Sequence, residues 1–266
     1  MVTVKSVRDT RLLVEAIDAI ADTEVLMNNA IVSVTDAVSR ANADLLNGFT
    51  TGQVTLESVE DTNANILLID GIPTPQVTMA AAAVKVTDKV NNAEVDTLDG
   101  KTTGKVTVDI LEDTFAEVSA LDALNDSDVD ISNAAITVTN AVSKANADTL
   151  NGFTNAKVTL NSVEDNYANI QLIKDIGNTE VDMDAAAIKV TDDVNKTKVD
   201  DLRTDTTGDI TLTSITEDKG DLATINGFTD VILSTANITV TDNVDKSEAD
   251  TIDAYSNTVV PLLSHL

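Results

Sequence analysis

Aspartate recurs at positions 44, 96, 148, 200 and 250. The first four lie 52 residues apart and the last step is 50. A rank of carboxylates at fixed spacing is the pattern in this chain that best suits a chemical task, and the task it suits is cation binding. Calcium gathers about six to eight oxygens, carboxylates prominent among them. Asp44, Asp96, Asp148, Asp200 and Asp250 are therefore the candidate metal ligands, with calcium the one candidate cofactor. A second acidic series, Asp9, Asp61, Asp113, Asp165 and Glu217, would extend them into ladders along the molecule. Beside this stands a plainer reading, in which aspartate at a helix end accepts hydrogen bonds from backbone amides. Neither spacing matches the helix–loop–helix calcium loop.

Other chemistries find little to work with. The chain has no Cys and a single His, His265. That leaves no thiol nucleophile, no Cys-ligated zinc and no disulfide. Paired carboxylates abound, but they recur in register, whereas an active site occurs once. Gly is scarce, at 10 of 266 residues, and no Gly-rich phosphate loop is present. The expectation is a protein that is not an enzyme, with no catalytic residue to name.

The carboxylate ranks are one part of a tandem repeat. Val2-Thr3-Val4, Val54-Thr55-Leu56, Val106-Thr107-Val108, Val158-Thr159-Leu160 and Ile210-Thr211-Leu212 are successive copies 52 residues apart. A second series, Val34-Thr35, Val86-Thr87, Val138-Thr139, Val190-Thr191 and Val240-Thr241, falls between them, and its last step shows that the fifth copy has lost two residues. One repeat domain over 1–266 follows, with copies at 2–53, 54–105, 106–157, 158–209 and 210–259. Residues 260–266, beginning Val260-Pro261-Leu262, read as the start of a sixth.

Each repeat is a doublet. In the first half, alternation in Val54–Val59 predicts a strand with Val54, Leu56 and Ser58 on one face and Thr55, Glu57 and Val59 on the other. Asp9, Asp61, Asp113, Asp165 and Glu217 follow where a helix N-cap belongs. Three apolar columns then step by three residues: Val14, Ile66, Val118, Ile170 and Leu222; Ile17, Ile69, Leu121, Ile173 and Ile225; Ile20, Ile72, Leu124, Ile176 and Phe228. With Leu68 and Leu172 beside them they predict a short helix with one buried stripe. A brief extended piece such as Val77-Thr78-Met79 and a small-residue corner such as Ala81-Ala82-Ala83 close the half. The second half repeats the plan. Asp36, Asp88, Asn140, Asp192 and Asp242 are its expected N-caps. Val38, Val90, Val142, Val194 and Val244, then Leu46, Leu98, Leu150, Leu202 and Ile252, are its expected helix columns. Asn47-Gly48, Asp99-Gly100 and Asn151-Gly152 read as its helix stops.

Strand, helix, strand without interruption implies parallel strands. A unit of 23–29 residues cannot bury its apolar face alone, but a stack of units can. The expected fold is an α/β solenoid with a parallel sheet and short helices; a parallel β-helix whose helical stretches are only turns is the second possibility. The core must be aliphatic, since Trp is absent and aromatics make up 2% of the chain.

The run Val138–Ile170, with Val-Thr-Asn, Ala-Asn-Ala-Asp-Thr-Leu-Asn-Gly-Phe-Thr and Val-Thr-Leu-Asn-Ser-Val-Glu-Asp, resembles tandem repeats of giant bacterial surface or adhesin-like proteins, common in cyanobacteria and marine bacteria. The resemblance spans almost the whole sequence. It implies an extracellular or cell-surface location and a structural role in a fibre, surface layer or giant adhesin. A calcium- or glycan-binding adhesin module is the alternative it leaves open. The glycine-rich calcium nonapeptides of such chains are absent here.

A formal charge of -28 opposes binding to nucleic acid, because phosphate neutralisation needs clustered Lys and Arg. No apolar run approaches the ~20 residues of a membrane span, and residues 1–30 lack the pattern of a signal peptide. The expected partners are other copies stacked head to tail, or neighbouring repeats of a longer chain.

Overall fold

The computed structural model describes residues 1–21, 23–73, 76–124 and 128–257. Val260–Ser264, where the sixth repeat is expected to begin, and His265 lie outside the described residues. The chain divides into two compact units, Met1–Ala135 and Ile136–Leu266.

Both units have one architecture, an α/β solenoid. In the first, strands Ser6–Asp9, Ile31–Val38, Val54–Asp61, Ala83–Val90 and Val106–Asp113 pair in sequence order, each parallel to the next. In the second, Ala135–Val142, Val158–Asp165, Ala187–Val194, Ile210–Glu217 and Asn237–Val240 do the same. A helix follows every one of these strands. The helices are eight or ten residues long, so the β-helix with mere turns is set aside. Strands start at Val54, Ala83 and Val106, so one repeat is a long coil of 29 residues and a short coil of 23.

The long coil returns from its helix through a two-residue strand, such as Val77–Thr78, which pairs with Val54–Thr55 of the strand before it. The two residues missing from the fifth copy are lost in this return. Helix Tyr167–Lys174 is followed by the strand at Val181, whereas helix Lys219–Asn226 reaches its strand at Val231. Sequence alone showed the loss; the structure places it in the turn.

The core consists of the repeat's apolar columns. Val14, Ile66, Val118, Ile170 and Leu222 are fully buried, as are Leu46, Leu98, Leu150 and Leu202. Each such side chain stabilises the fold by about 1.5–3 kcal/mol through burial. In the small-residue corner only the middle residue is enclosed: Ala82 is buried between exposed Ala81 and Ala83.

Five expectations need correction. Strand alternation breaks after Leu56, and Val59 joins Val54 and Leu56 in the interior. The break coincides with an extra residue on the preceding strand, where the register shifts between Val34 and Ala37. Val38, Val90, Val142 and Val194 end strands rather than sit on helices. Leu68 and Leu172 are half exposed, because one buried stripe three residues apart leaves their positions on the solvent side. The third column is covered only at Ile72, with Ile20 and Leu124 exposed, because it lies beyond the helix in the return turn. Helices Arg40–Phe49 and Lys144–Phe153 run through Asn47-Gly48 and Asn151-Gly152 and cap at Thr50 and Thr154; of the three expected stops, Gly100 alone is a helix C-cap. No left-handed residue is needed there. Among the described residues, the one glycine with positive φ is Gly177.

Candidate functional site: carboxylates at the coil junctions

The proposed metal-ligand column lies on helix surfaces, one aspartate to a helix. Four of the five sit one turn after a basic residue and pair with it: Arg40–Asp44 at 2.8 Å, Lys144–Asp148 at 2.5 Å, Lys196–Asp200, and Lys246–Asp250 at 2.6 Å. In the fifth, Asn92 holds the position of the base and Asp96 is exposed. Among the described residues, no three His, Cys, Asp or Glu side chains converge in a group that could hold a metal.

The second acidic series does more than sequence suggests. Eight helix N-caps, Thr62, Asn91, Thr114, Ser143, Asn166, Asn195, Asp218 and Asp245, accept with their side chains from the amide three residues on, while Thr10 and Ser39 cap their helices without such a bond. The carboxylates expected to fill that place lie instead at the strand ends (Asp61, Asp113, Asp165), two residues before them (Asp36, Asp88, Asp192) or two after (Asp242), and reach the helix of the preceding coil. Asp61 accepts from the amide of Arg40 at 2.8 Å, Asp113 from Asn92 at 2.9 Å and Asp165 from Lys144 at 2.9 Å. In the other half, Asp36 accepts from the amide of Arg11, Asp88 from Asn63 and Asp192 from Tyr167, each at 2.7 Å, and Asp242 from Lys219 at 3.0 Å. Each donor is the first residue of a helix, whose N–H has no partner inside its own helix. Negative charge is also favoured at this pole of the helix dipole.

Asp61 and Asp165 are tied on both oxygens. In Asp61, Oδ1 accepts from the Thr62 amide and the Asn65 side chain, both at 2.8 Å, while Oδ2 holds Arg40. In Asp165, Oδ1 accepts from Asn166 and Asn169. Partial burial pushes both carboxyls up. The combined donors outweigh it, from Asn65, Arg40 and Thr62 in one case and Lys144, Asn169 and Asn166 in the other, and hold both below the ordinary aspartate range. Glu217 makes a looser contact with the Lys196 amide, at 3.4 Å.

Coils are also joined on the outer face of the sheet. Lys85 lies between Glu60 of the coil before it and Asp109 of the coil after it, at 3.1 and 3.2 Å. Its hydrogen bonds to Glu60 and then Asp109 raise its pKa. Lys89–Glu112 and Lys189–Glu164 continue the pattern. In the second unit Asp205, with its side chain fully enclosed, holds Lys174 and the Gln171 amide group, the latter at 2.6 Å. Next to it the Tyr167 hydroxyl donates to Asp201 at 2.8 Å. Burial and that hydrogen bond push Tyr167 up to about 12.

One column escaped sequence reading altogether. Thr50, Thr102, Thr206 and Ser256 are buried where the short coil turns back to the sheet. Their hydroxyls donate to the carbonyls of Ala30, Ala82, Ala186 and Ala236 at 2.6–2.7 Å. In the first three, the hydroxyl oxygen also accepts from the amide of Gly52, Gly104 or Gly208 at 2.9 Å. A Cβ on those three glycines would lie within 2.2–2.3 Å of the same alanine carbonyls, whereas the third copy has Ala156 in this column, its amide 3.0 Å from the Thr154 hydroxyl. The signal in the sequence is Thr50, Thr102, Thr154 and Thr206, 52 residues apart, each followed two residues on by Gly or Ala, but it resembles loop composition.

These carboxylates and hydroxyls act as fixed acceptors and bridges between one stretch of backbone and the next. Comparison with protein families, with curated proteins and with solved structures finds no match.

Proposed function

We propose that this chain is a structural repeat protein of an extracellular fibre, surface layer or giant adhesin, and not an enzyme. The observation that carries this reading is the use made of the repeated carboxylates. Residues that could have formed a reactive site are engaged coil after coil by backbone amides of the coil before, so repetition lengthens a scaffold. On the outer face Lys85, Lys89 and Lys189 are engaged by neighbouring acids, and a charge of -28 opposes binding to nucleic acid. Among the described residues no helix is long and apolar enough to cross a membrane. The surface location rests on the resemblance of the repeat alone. Immunogold electron microscopy of intact cells that make the protein tests it. Label along the cell surface or on extended material outside the cell is expected, and label confined to the cell interior would overturn it.

A further inference from the structure

The second and fourth copies are built on the same core. Helix Asn63–Asp70 buries Ile66 and Ile69 where helix Tyr167–Lys174 buries Ile170 and Ile173. The short-coil helices that follow bury Val95 and Leu98 in one copy and Val199 and Leu202 in the other. Strand pairing has one register too: Val84 faces Val106 as Ile188 faces Ile210. Apolar packing therefore gives a helix of one copy no means of telling its own neighbour from the equivalent helix of the other. Exchange of equivalent segments is a characteristic misfolding route of repeat proteins.

Polar contacts do tell the copies apart. The two long-coil helices read Asn-Ala-Asn-Ile-Leu-Leu-Ile-Asp and Tyr-Ala-Asn-Ile-Gln-Leu-Ile-Lys, and they differ only where Tyr167 replaces Asn63, Gln171 replaces Leu67 and Lys174 replaces Asp70. In the fourth copy all three side chains reach the next helix. Tyr167 donates to Asp201 at 2.8 Å and carries Lys198 over its ring, 5.2 Å from the centre. Gln171 donates to one oxygen of Asp205 at 2.6 Å, and Lys174 pairs with the other. In the second copy Asn63 donates to Glu94 at 3.2 Å, and Asp70 pairs at 2.9 Å with Lys101, just past the next helix. The pair at the helix end is thus reversed in sign between the copies. The Asp205 side chain is fully enclosed, so water cannot relieve a mismatch there.

We propose that these residues form a key that makes each long-coil helix specific for the short-coil helix of its own copy. The key stops coils of the second and fourth copies from exchanging places, within a chain or between chains. Helix Asn63–Asp70 set on helix Lys196–Asp205 would bring the Asp70 carboxylate to the enclosed Asp205 and put Leu67 in place of the Gln171 donor. The reverse exchange would bring Lys174 to Lys101. Specificity comes from repulsion in the wrong pairing as well as attraction in the right one. The fifth copy is excluded from the fourth in the same way: Lys219 pairs with Glu248 at 2.7 Å, and on the fourth copy's helix it would meet Lys198.

The test exchanges keys in the full chain. Tyr167→Asn, Gln171→Leu and Lys174→Asp together give the fourth copy the long-coil helix of the second. Lys198→Glu, Asp201→Thr and Asp205→Lys together give it the second copy's partner residues. Urea denaturation followed by far-UV circular dichroism should show each triple variant unfolding at a lower urea concentration than the parent. The six-residue variant, with both sides matched again, should recover most of the loss, so that the two losses do not add. Losses that add in the six-residue variant, or triple variants as stable as the parent, would overturn the proposal. Where a triple variant does not fold, the six-residue variant decides: recovery of a folded protein supports the key, and failure to recover overturns it.

Discussion

The strand-to-helix junction and the long coil's return turn are two bends of one chain, made in different ways. At the junction, geometry is held constant. Asp36, Asp88 and Asp192 come from different copies, yet each accepts from a helix 25 residues upstream at 2.7 Å. At the return, length and conformation change. The fourth copy turns through Gly177 at φ 97°, with Glu180 and Val181 bonding back to the Gly177 carbonyl. The fifth copy is two residues shorter, keeps Gly227 right-handed and lays Phe228 under the Arg203 guanidinium at 3.7 Å, with Arg203 also held by Asp230. The difference follows from where the backbone's polar groups can find partners. At the junction the amides face the next coil, so a side chain must supply the acceptor. In the return they bond locally or to water, so several turns serve equally well.

This comparison can be broken or sharpened by substitution. The largest effect is expected at the short coil's bend, where burial is deepest. Thr102→Val keeps the shape but strands the Ala82 carbonyl and the Gly104 amide, a loss of about 1–3 kcal/mol. Urea denaturation should show it, and Thr102→Ser should recover most of it. Next is the junction: Asp165→Ala removes the acceptor for Lys144, Asn166 and Asn169 and should lower stability by about 1–2 kcal/mol. An effect no larger than that of an exposed substitution would mean that the cross-coil bond contributes nothing.

Acid titration probes all the junctions at once. The carboxyls of Asp61 and Asp165 are held below their ordinary range, so the unfolded chain takes up protons first as pH falls. Their contribution is complete above about pH 5 and declines as pH drops through and below the usual aspartate value near 4. Thermal melting should therefore move down between pH 6 and pH 3, and less so in Asp165→Ala.

Smaller effects are expected where solvent does the work. Grafting the fifth copy's return, residues 227–230, in place of 175–180, which keeps Lys174 on the enclosed Asp205, should change the melting temperature little. A large loss would show that the turn is as constrained as the junction. Smallest is Asp148→Asn, which removes an exposed ion pair to Lys144 and should cost at most a few tenths of a kcal/mol. Repeating the melt of both proteins with calcium and with chelator examines the calcium alternative. A calcium-dependent rise in the parent that Asp148→Asn weakens would assign the Asp44 column a ligand.

Much of this protein is local, and local features are legible in sequence. The 52-residue period, parallel strands alternating with helices, the columns through Ile66, Ile69 and Leu98, and the two-residue loss all follow from spacing and side-chain type. Tertiary structure alone decided which helix each acid serves. Asp61 beside Thr62 looks like the cap of the helix it precedes, and one of its oxygens does bond there. Its other oxygen meets an amide 21 residues upstream, brought close only when the coils stack. The same holds for Thr102, whose partner Ala82 is 20 residues back and buried only because the next turn of chain covers it. A carboxylate or hydroxyl states that it will accept a hydrogen bond. The stacking of one coil on another determines from which part of the backbone the bond comes.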